Sequence, residues 1–182
     1  MHADRMSEIT SGLVYPGIGG TRDERVPPGF ARLVRAAPMG SGRDVLERVS
    51  QALLAWDVHR GAGLTVEADG PAVPGRLVRL SLPGPLRRLP LSIDCRVVYV
   101  IDEPCRRGFG YGTVPGHPEE GEARFLVEMS GDRAEAPVTF SLFAFSRPGT
   151  RWARALEPAL RVAQAVATQG YLRAARRSGR AQ

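Results

Sequence analysis

The chain has 182 residues, of which 43% are hydrophobic and 24% are charged, a composition typical of a single globular domain. All 25 basic residues are arginine, which excludes chemistry that needs a lysine amine, such as Schiff-base formation. No stretch approaches the roughly 18 consecutive apolar residues of a membrane span, and the N-terminus lacks the apolar core of a secretory signal, so we expect a cytoplasmic protein.

The formal net charge of +6 is concentrated at the C-terminus. The last ten residues contain no acid, and they contain four arginines, Arg173, Arg176, Arg177 and Arg180. Two interpretations are open: the solvated end of a helix whose cations complement its dipole, or a basic tail that contacts an anionic membrane surface. Because the rest of the chain is nearly balanced, a nucleic-acid partner is not expected.

The N-terminal third predicts a loop, a strand and a helix. Residues 1–28 contain several glycine and proline breaks and are expected to be a loop-rich segment packed on the domain. Residues 29–36 alternate as in a strand, and Ser41-Gly42-Arg43-Asp44 matches a helix-capping pattern. Apolar residues at helical spacing then predict an amphipathic helix over 42–56, ending near Trp56.

Between residues 63 and 145 the apolar period changes to two, which predicts a sheet. Strands are expected around residues 64–66, 78–82, 91–102, 123–129 and 138–145. The segment 91–102 is apolar on both faces and is therefore expected at the centre of the sheet. The stretch from Phe109 to Glu122 interrupts the pattern with glycines, prolines, a histidine and carboxylates, and it predicts a stiff loop that presents ionisable groups.

The last predicted element is a long helix, in which apolar residues step at three and four from Trp152 to Ala167. Pro158 is expected to kink this helix or to mark a second start. The order of elements indicates an α+β fold: a curved antiparallel sheet wrapped around the long C-terminal helix, with one shorter helix after the first strand. We expect one domain over 29–175, an apolar cavity between sheet and helix, and a basic tail over 176–182.

Several segments resemble the uncharacterised domain-of-unknown-function family 1990. The main segments are Arg96–Pro104, Arg107–Glu119 followed by Gly121 and Glu122, and Phe143–Pro148. Shorter matches are Tyr15 with Gly19 and Thr21, Trp56 with His59–Gly63, and Tyr171-Leu172. The segments 69–75 and 83–90 depart from the family pattern. The resemblance, over roughly residues 13–175, implies the helix-grip fold of the START-like and birch-pollen-allergen-like superfamily and a pocket, without an established activity.

His117 is the candidate for acid–base chemistry in the irregular stretch. The ordinary pKa of histidine suits proton transfer near neutrality, and Glu119 and Glu122 lie within a turn of this residue in the sequence. Two alternatives stay open. The histidine can cap a tight turn beside solvated glutamates, or it can contact a ligand without catalysing a reaction.

A metal site is not expected. The other two histidines are His2 and His59, whereas a hydrolytic zinc site usually needs three well-placed protein ligands. Cys95 and Cys105 have no CxxC or Cys-x-x-His partner, so both are interpreted as structural thiols. The sequence predicts no cofactor.

The residues predicted to contact a ligand are Tyr99, Tyr111, Thr113, His117 and Arg147. Both tyrosines are expected on strands, where a hydroxyl facing a cavity orients a polar ligand group. Arg147 can meet a carboxylate or phosphate with two N–H groups, or it can pair with Glu122 or Asp102 inside the fold.

Three functions are compatible with these observations. The first is a non-enzymatic domain that binds a small apolar or amphipathic ligand between the sheet and the last helix. The second is an enzyme that uses the same cavity, with His117, Glu119 or Glu122 as general acid–base. The third is an interaction protein that works through the arginine-rich tail.

Overall fold

A computed structural model describes residues 9–82, 93–150, 153–154 and 157–180. Over these residues the strands are β1 (Ala31–Ser41), β2 (Thr65–Ala68), β3 (Leu77–Ser81), β4 (Ile93–Glu103), β5 (Arg106–Thr113), β6 (Glu119–Met129) and β7 (Pro137–Pro148). The helices are α1 (Arg43–Leu54), α2 (Asp57–Gly61) and α3 (Glu157–Gly179). Trp152, at the start of the predicted long helix, and the segment 83–90, which departs from the family pattern, lie outside the described residues.

The strands form one antiparallel sheet in the order β1-β7-β6-β5-β4-β3-β2. The strands from β2 to β7 follow one another as a meander, and β1 pairs with β7 at the far edge. The helices pack against one face, which we call the concave face. The predicted α+β fold, with a curved sheet around a long C-terminal helix and a shorter helix after the first strand, is confirmed.

The main core lies between the concave face and the helices. Trp56, between α1 and α2, packs edge-on against Phe109 of β5 with 4.9 Å between the ring centroids. Phe125 and Phe140, on β6 and β7, are also fully buried. Because burial of one such side chain contributes about 1.5–3 kcal/mol, this aromatic layer fixes the position of α1 and α2 on the sheet.

The start and end of α1 differ from the prediction. The N-cap residue is Gly42, which has no side chain to cap the helix, and the Ser41 hydroxyl donates to the Glu135 carboxylate at 3.2 Å. At the other end, Trp56 has a left-handed backbone (φ 68°) that breaks the helix. The helix predicted over 42–56 corresponds to α1, and the short α2 beyond Trp56, which carries His59, was not predicted.

The predicted loop over Phe109–Glu122 is mostly strand. β5 continues through Thr113 and β6 begins at Glu119, so only residues 114–118 form a turn. Alternate positions of both strands face opposite sides of the sheet. The ionisable residues of this stretch are consequently divided between two faces rather than gathered in one loop.

A β-bulge in the central strand β4 changes which face its side chains reach. The register with β5 shifts between Val97 and Tyr99, which leaves Val98 as the extra residue. Val97 belongs to the main core, whereas Val98 and Tyr99 both belong to a separate apolar cluster on the convex face. This bulge explains why the segment is apolar in consecutive positions.

Residues 9–28 lie on the convex face. Tyr15 packs against Phe145 with 5.9 Å between the ring centroids. Phe30, just before β1, packs against the same ring at 5.4 Å. The N-terminal segment thus closes the second face of the sheet, which would otherwise expose aromatic side chains to water.

The C-terminal half of α3 is fixed to α1 and α2. Arg177 donates to the Gly61 carbonyl at 2.6 Å, and Gly179 is buried against Met39 and Val49. Residues 176–179 are therefore the last turn of α3, inside the expected tail 176–182. Pro158 lies in the first turn of α3, where a proline is tolerated without a kink. Among the described helices, none has the length and hydropathy of a membrane span.

Candidate functional site

A cavity of about 210 Å³ lies between the concave face and the N-terminal half of α3. For comparison, a cavity of roughly 150 Å³ is large enough to hold benzene. The walls are mainly apolar and include Leu33, Leu80, Ile93, Phe125, Leu142, Ala144, Ala163 and Ala167. The cavity is therefore suited to an apolar molecule of about one or two rings.

A tight turn places His117 at one end of this cavity. The His117 N–H donates to the Val114 carbonyl at 3.2 Å, with Pro115 and Gly116 between them. Gly116 has φ +97°, as the third residue of a type II turn requires. The Pro-Gly-His-Pro sequence thus orients an imidazole that lines the cavity.

His117 is neutral at physiological pH. Burial lowers the pKa of this imidazole from 6.5 to about 4, although its contact with the Glu119 backbone carbonyl acts in the opposite direction. The imidazole Nδ1 lies 2.8 Å from the Glu119 carbonyl oxygen and 2.9 Å from the Glu119 backbone nitrogen, so its role as donor or acceptor depends on the tautomer. Neither contact uses Nε2, which is the nitrogen that can bond to a ligand.

Glu119 is the acidic side chain that faces the cavity. Burial raises the pKa of its carboxyl group, and a side-chain hydrogen bond with Ser146 partly offsets this effect. Ser146 lines the same end of the cavity. The protonated form of this carboxyl group therefore persists to a higher pH than on a solvated glutamate, and in that form the group can act as a hydrogen-bond donor.

Two tyrosine hydroxyls meet at the cavity wall. Tyr111 of β5 and Tyr171 of α3 share a side-chain hydrogen bond, and burial raises the pKa of both phenols. Thr113, two residues after Tyr111, lines the cavity and accepts a hydrogen bond from the Gly121 N–H at 3.0 Å. These side chains supply neutral polar groups within an apolar cavity.

Tyr99 and Arg147 lie on the convex face, away from the cavity. The bulge at Val98 turns Tyr99 outward, where its hydroxyl is 2.7 Å from the Thr21 hydroxyl. Arg147 pairs with Glu120 at 2.8 Å and lies over the Phe30 ring. The predicted partners Glu122 and Asp102 do not form this pair, because Glu120 and Arg147 are opposite each other in the register of β6 and β7.

Glu122 joins the N-terminal segment to the sheet. Although this residue borders the cavity wall, its carboxylate accepts hydrogen bonds from the Tyr15 hydroxyl at 2.8 Å, the Gly19 N–H at 2.7 Å and the Thr21 N–H at 3.0 Å. The Thr21 hydroxyl also donates to it. A carboxylate with four donors and 3% exposure is a structural group, so Glu122 is not positioned for acid–base chemistry in the cavity.

Two glycines allow aromatic rings to lie directly on β5. A Cβ at Gly112 would overlap the Tyr15 hydroxyl, and one at Gly110 would overlap the Tyr99 ring. Tyr111, between them, points to the other face. The Gly-Tyr-Gly sequence therefore contributes to both faces of the sheet. Its two glycines allow Tyr15 and Tyr99 to pack on the convex face, and Tyr111 forms part of the cavity wall.

The comparisons with known proteins agree with this architecture. A family model described as a domain of unknown function (DUF1990) matches residues 14–174. The chain belongs to the DUF1990 family. A UPF0548 protein of Deinococcus radiodurans is 35% identical over 170 residues, which cover 87% of this chain and 83% of that protein.

Solved structures extend the likeness of this DUF1990 chain to the helix-grip fold. A hypothetical protein from Helicobacter pylori matches with a TM-score of 0.64 at 10% identity, covering 92% of this chain and 96% of that chain. A truncated norcoclaurine synthase from Thalictrum flavum matches with a TM-score of 0.50 at 13% identity, covering 81% and 94%. At these identities the likeness concerns the fold alone.

The DUF1990 chain shows no cluster of three or more metal-ligating side chains within its described residues. Cys95 and Cys105 are both free thiols. Cys95 lies in the cavity wall, where burial raises the pKa of its thiol well above the ordinary value. This thiol is therefore protonated and unreactive as a nucleophile at neutral pH.

The cavity was expected beside the last helix, but the α3 side chains that line it were not among the predicted ligand contacts. Tyr171, Gln164 and Thr168 of this helix all line the cavity. The signal was present, because Ala163, Ala167 and Tyr171 are spaced four residues apart and share one helical face. The predicted contacts came instead from β4, β5, β7 and the turn at His117.

Proposed function

We propose that this DUF1990 domain binds a small, largely apolar molecule in the cavity between the concave face and α3. The observation that carries the proposal is the cavity itself, about 210 Å³ in volume with apolar walls and a few neutral polar groups. Ligand sites commonly combine an apolar lining with a small number of placed polar groups. Tyr111, Thr113 and His117 are the proposed polar contacts.

The charges around the cavity favour a neutral or cationic ligand. Among the described residues that line it there is no arginine, and His117 is neutral because of its lowered pKa. An anion buried beside Glu119 would lack a compensating charge, which is strongly unfavourable. We therefore expect the domain to discriminate against fatty acids and other apolar carboxylates.

Native mass spectrometry of the purified protein tests the proposal, with a denatured sample from the same preparation as the control. We expect a discrete additional mass on the folded wild-type protein. Tyr111→Phe removes a hydroxyl from the cavity wall and should weaken this adduct. Tyr99→Phe makes the same change on the convex face and should leave the adduct intact, provided that both variants remain folded.

Two results would contradict the proposal. One is equal loss of the adduct in both tyrosine variants, which would indicate a general effect on folding. The other is a wild-type protein that neither carries a co-purifying mass nor binds any neutral apolar probe. In that case the cavity is a packing defect rather than a binding site.

A second candidate function is acid catalysis in the same cavity. The supporting observation is the raised pKa of Glu119, whose carboxyl group faces the cavity beside His117. A carboxylic acid whose pKa is raised by burial keeps its proton to a higher pH than a solvated glutamate, and it can donate that proton to a bound substrate. Incubating wild-type and Glu119→Gln proteins with a bacterial metabolite extract tests this candidate, which requires a compound that only the wild type consumes.

A further inference from the structure

His59 is a fully buried side chain that no role described above explains. It lies on the short helix α2 and has 0% exposure. Five aromatic rings surround it, with centroids between 4.8 and 5.9 Å from its own: Trp56, Phe109, Tyr111, Phe125 and Tyr171. A phenylalanine at this position would satisfy the same packing.

The polar atoms of His59 have no partner in the protein. Neither imidazole nitrogen forms a hydrogen bond with any residue in the described part of the chain. Burial, with a smaller contribution from the Arg60 charge, lowers the pKa of the ring to about 3, so the imidazole is neutral. A neutral imidazole has one N–H donor and one lone-pair acceptor.

The acceptor nitrogen is the more demanding of the two. An aromatic face accepts a weak hydrogen bond from an N–H, so the surrounding rings partly satisfy the donor. Their donors do not bond to the imidazole: the Trp56 indole N–H donates to the Gly70 carbonyl at 3.0 Å, and the hydroxyls of Tyr111 and Tyr171 hydrogen-bond to each other. An unsatisfied buried acceptor is unfavourable and indicates a site for an external donor.

His59 lies directly behind the cavity. Three of the side chains that contact it, Tyr111, Phe125 and Tyr171, also line the cavity. The wall between the imidazole and the cavity is therefore one side chain thick. Tyr111 and Phe125 are held on paired strands of the sheet, whereas Tyr171 belongs to α3, so a rotamer change of Tyr171 is the simplest opening.

We propose that His59 is the inner hydrogen-bonding contact of this cavity, and that the ligand carries a neutral donor, a hydroxyl or N–H group, on an apolar body. This inference rests on the proposed function, because it assumes that the cavity binds a ligand. The donor group passes between the tyrosines and bonds to the lone pair of the neutral imidazole. The apolar body fills the space lined by Leu142 and Ala144.

The test uses p-cresol and p-xylene, which are nearly equal in size and differ in one hydroxyl group. Both are titrated into the full-length protein and their affinities measured by NMR. The wild type should bind p-cresol about five- to tenfold more tightly than p-xylene, the range expected of one net hydrogen bond. His59→Phe should reduce this ratio to about one while p-xylene binding persists.

A matched control keeps His59 and changes a different member of the ring cluster. Phe109 packs against His59 but does not line the cavity. Phe109→Leu should lower stability and leave the ratio of the two affinities unchanged. If the ratio of the two affinities also falls to about one in this variant, the packing of the aromatic rings around His59, and not the imidazole itself, determines the preference for p-cresol.

A second measurement protects the test if His59→Phe does not fold. The imidazole ¹⁵N resonances of wild-type protein are recorded with each probe. The His117→Asn variant lacks the His117 signals, so the buried imidazole signals that remain are assigned to His59. A shift of the His59 acceptor nitrogen with p-cresol and not with p-xylene supports the proposal. No shift with bound p-cresol overturns it.

The failures of the two proposals are distinguishable. If both probes bind the wild type and the preference for p-cresol survives in His59→Phe, the inner contact is overturned and the binding cavity stands. If neither probe binds the wild type at millimolar concentration, the binding cavity and the inner contact are both overturned.

Discussion

Two carboxylates on β6, three residues apart, illustrate the difference between the two faces of the sheet. Glu122 on the convex face accepts hydrogen bonds from Tyr15, Gly19 and Thr21, so the fold itself satisfies it. Glu119 on the concave face lines a cavity and has a raised pKa because it is buried. The two residues are of the same type, so residue type alone does not tell a structural carboxylate from a candidate binding group. What distinguishes them is whether the folded protein provides hydrogen-bond partners for the carboxylate.

The largest expected effect comes from Glu122→Gln. This change replaces one acceptor oxygen by an N–H₂ group that faces either the Tyr15 and Gly19 donors or the two Thr21 donors, and it removes the charge that strengthens all these bonds. Loss of a buried, hydrogen-bonded charge should lower the free energy of unfolding by about 3 kcal/mol or more. Urea denaturation measures this loss, and proteolysis should cut residues 9–28 first.

Glu119→Gln is the matched control on the concave face. The free energy of unfolding should change by less than about 0.5 kcal/mol at neutral pH, because this carboxyl group has few partners to lose. The pKa of Glu119 is higher in the folded than in the unfolded state, so the unfolded state releases this proton at lower pH. As pH rises from the unfolded pKa of 4.5 through the folded pKa, wild type should therefore lose stability relative to the variant. Equal destabilisation by the two substitutions would contradict the division between the faces.

The next effect concerns the contact between Gly112 and Tyr15. Gly112→Ala places a methyl group where the Tyr15 hydroxyl lies, and such overpacking should cost about 2–3 kcal/mol. In a Tyr15→Ala background the same change should cost much less. A double-mutant cycle by urea denaturation measures this coupling, and additive effects would show that Tyr15 does not rest on β5 in solution.

His59→Phe should change how stability depends on pH. The folded pKa of about 3 lies below the unfolded value of 6.5, so wild type loses stability as pH falls through this range, by at most about 1.4 kcal/mol per unit. The variant should lose less over the same range, and at pH 7 it should be more stable by about 1 kcal/mol. Identical acid limbs in the two proteins would mean that His59 is solvated or paired.

Thr113→Val should remove a single neutral hydrogen bond. The Thr113 hydroxyl accepts from the Gly121 N–H at 3.0 Å, a bond worth about 1 kcal/mol of unfolding free energy. Thr113→Ser keeps the hydroxyl and should retain most of this stability. Thermal denaturation of both variants makes the comparison, and equal losses would assign the effect to the threonine methyl group instead.

Local patterns in the sequence were sufficient for the type of most elements. The period of two predicted strands such as the one over 138–145, and the helical spacing after Arg43 predicted α1. The assignment of Tyr99 to the cavity side could not succeed, because one extra residue at Val98 reverses the side chains that follow it. No feature of a single sequence marks that position as a bulge.

Contacts between residues that are far apart in the sequence could likewise not be predicted from local sequence patterns. Glu122 meets Tyr15 and Thr21 across more than 100 residues of chain, so the motif alone suggested acid–base chemistry for this carboxylate. The burial of His59 depends on rings from β5, β6 and α3, which no local pattern places beside it. Both cases concern which partners a polar group finds after folding.

The central claim is that the concave face binds and the convex face does not, and methyl NMR with p-xylene tests it most directly. We expect shifts confined to cavity methyl groups, such as those of Leu142, Ala144 and Ala167, which line the cavity. Val98 and Leu126, in the convex cluster, should not shift. Shifts centred on the convex methyl groups, or none at saturating probe, would contradict the account.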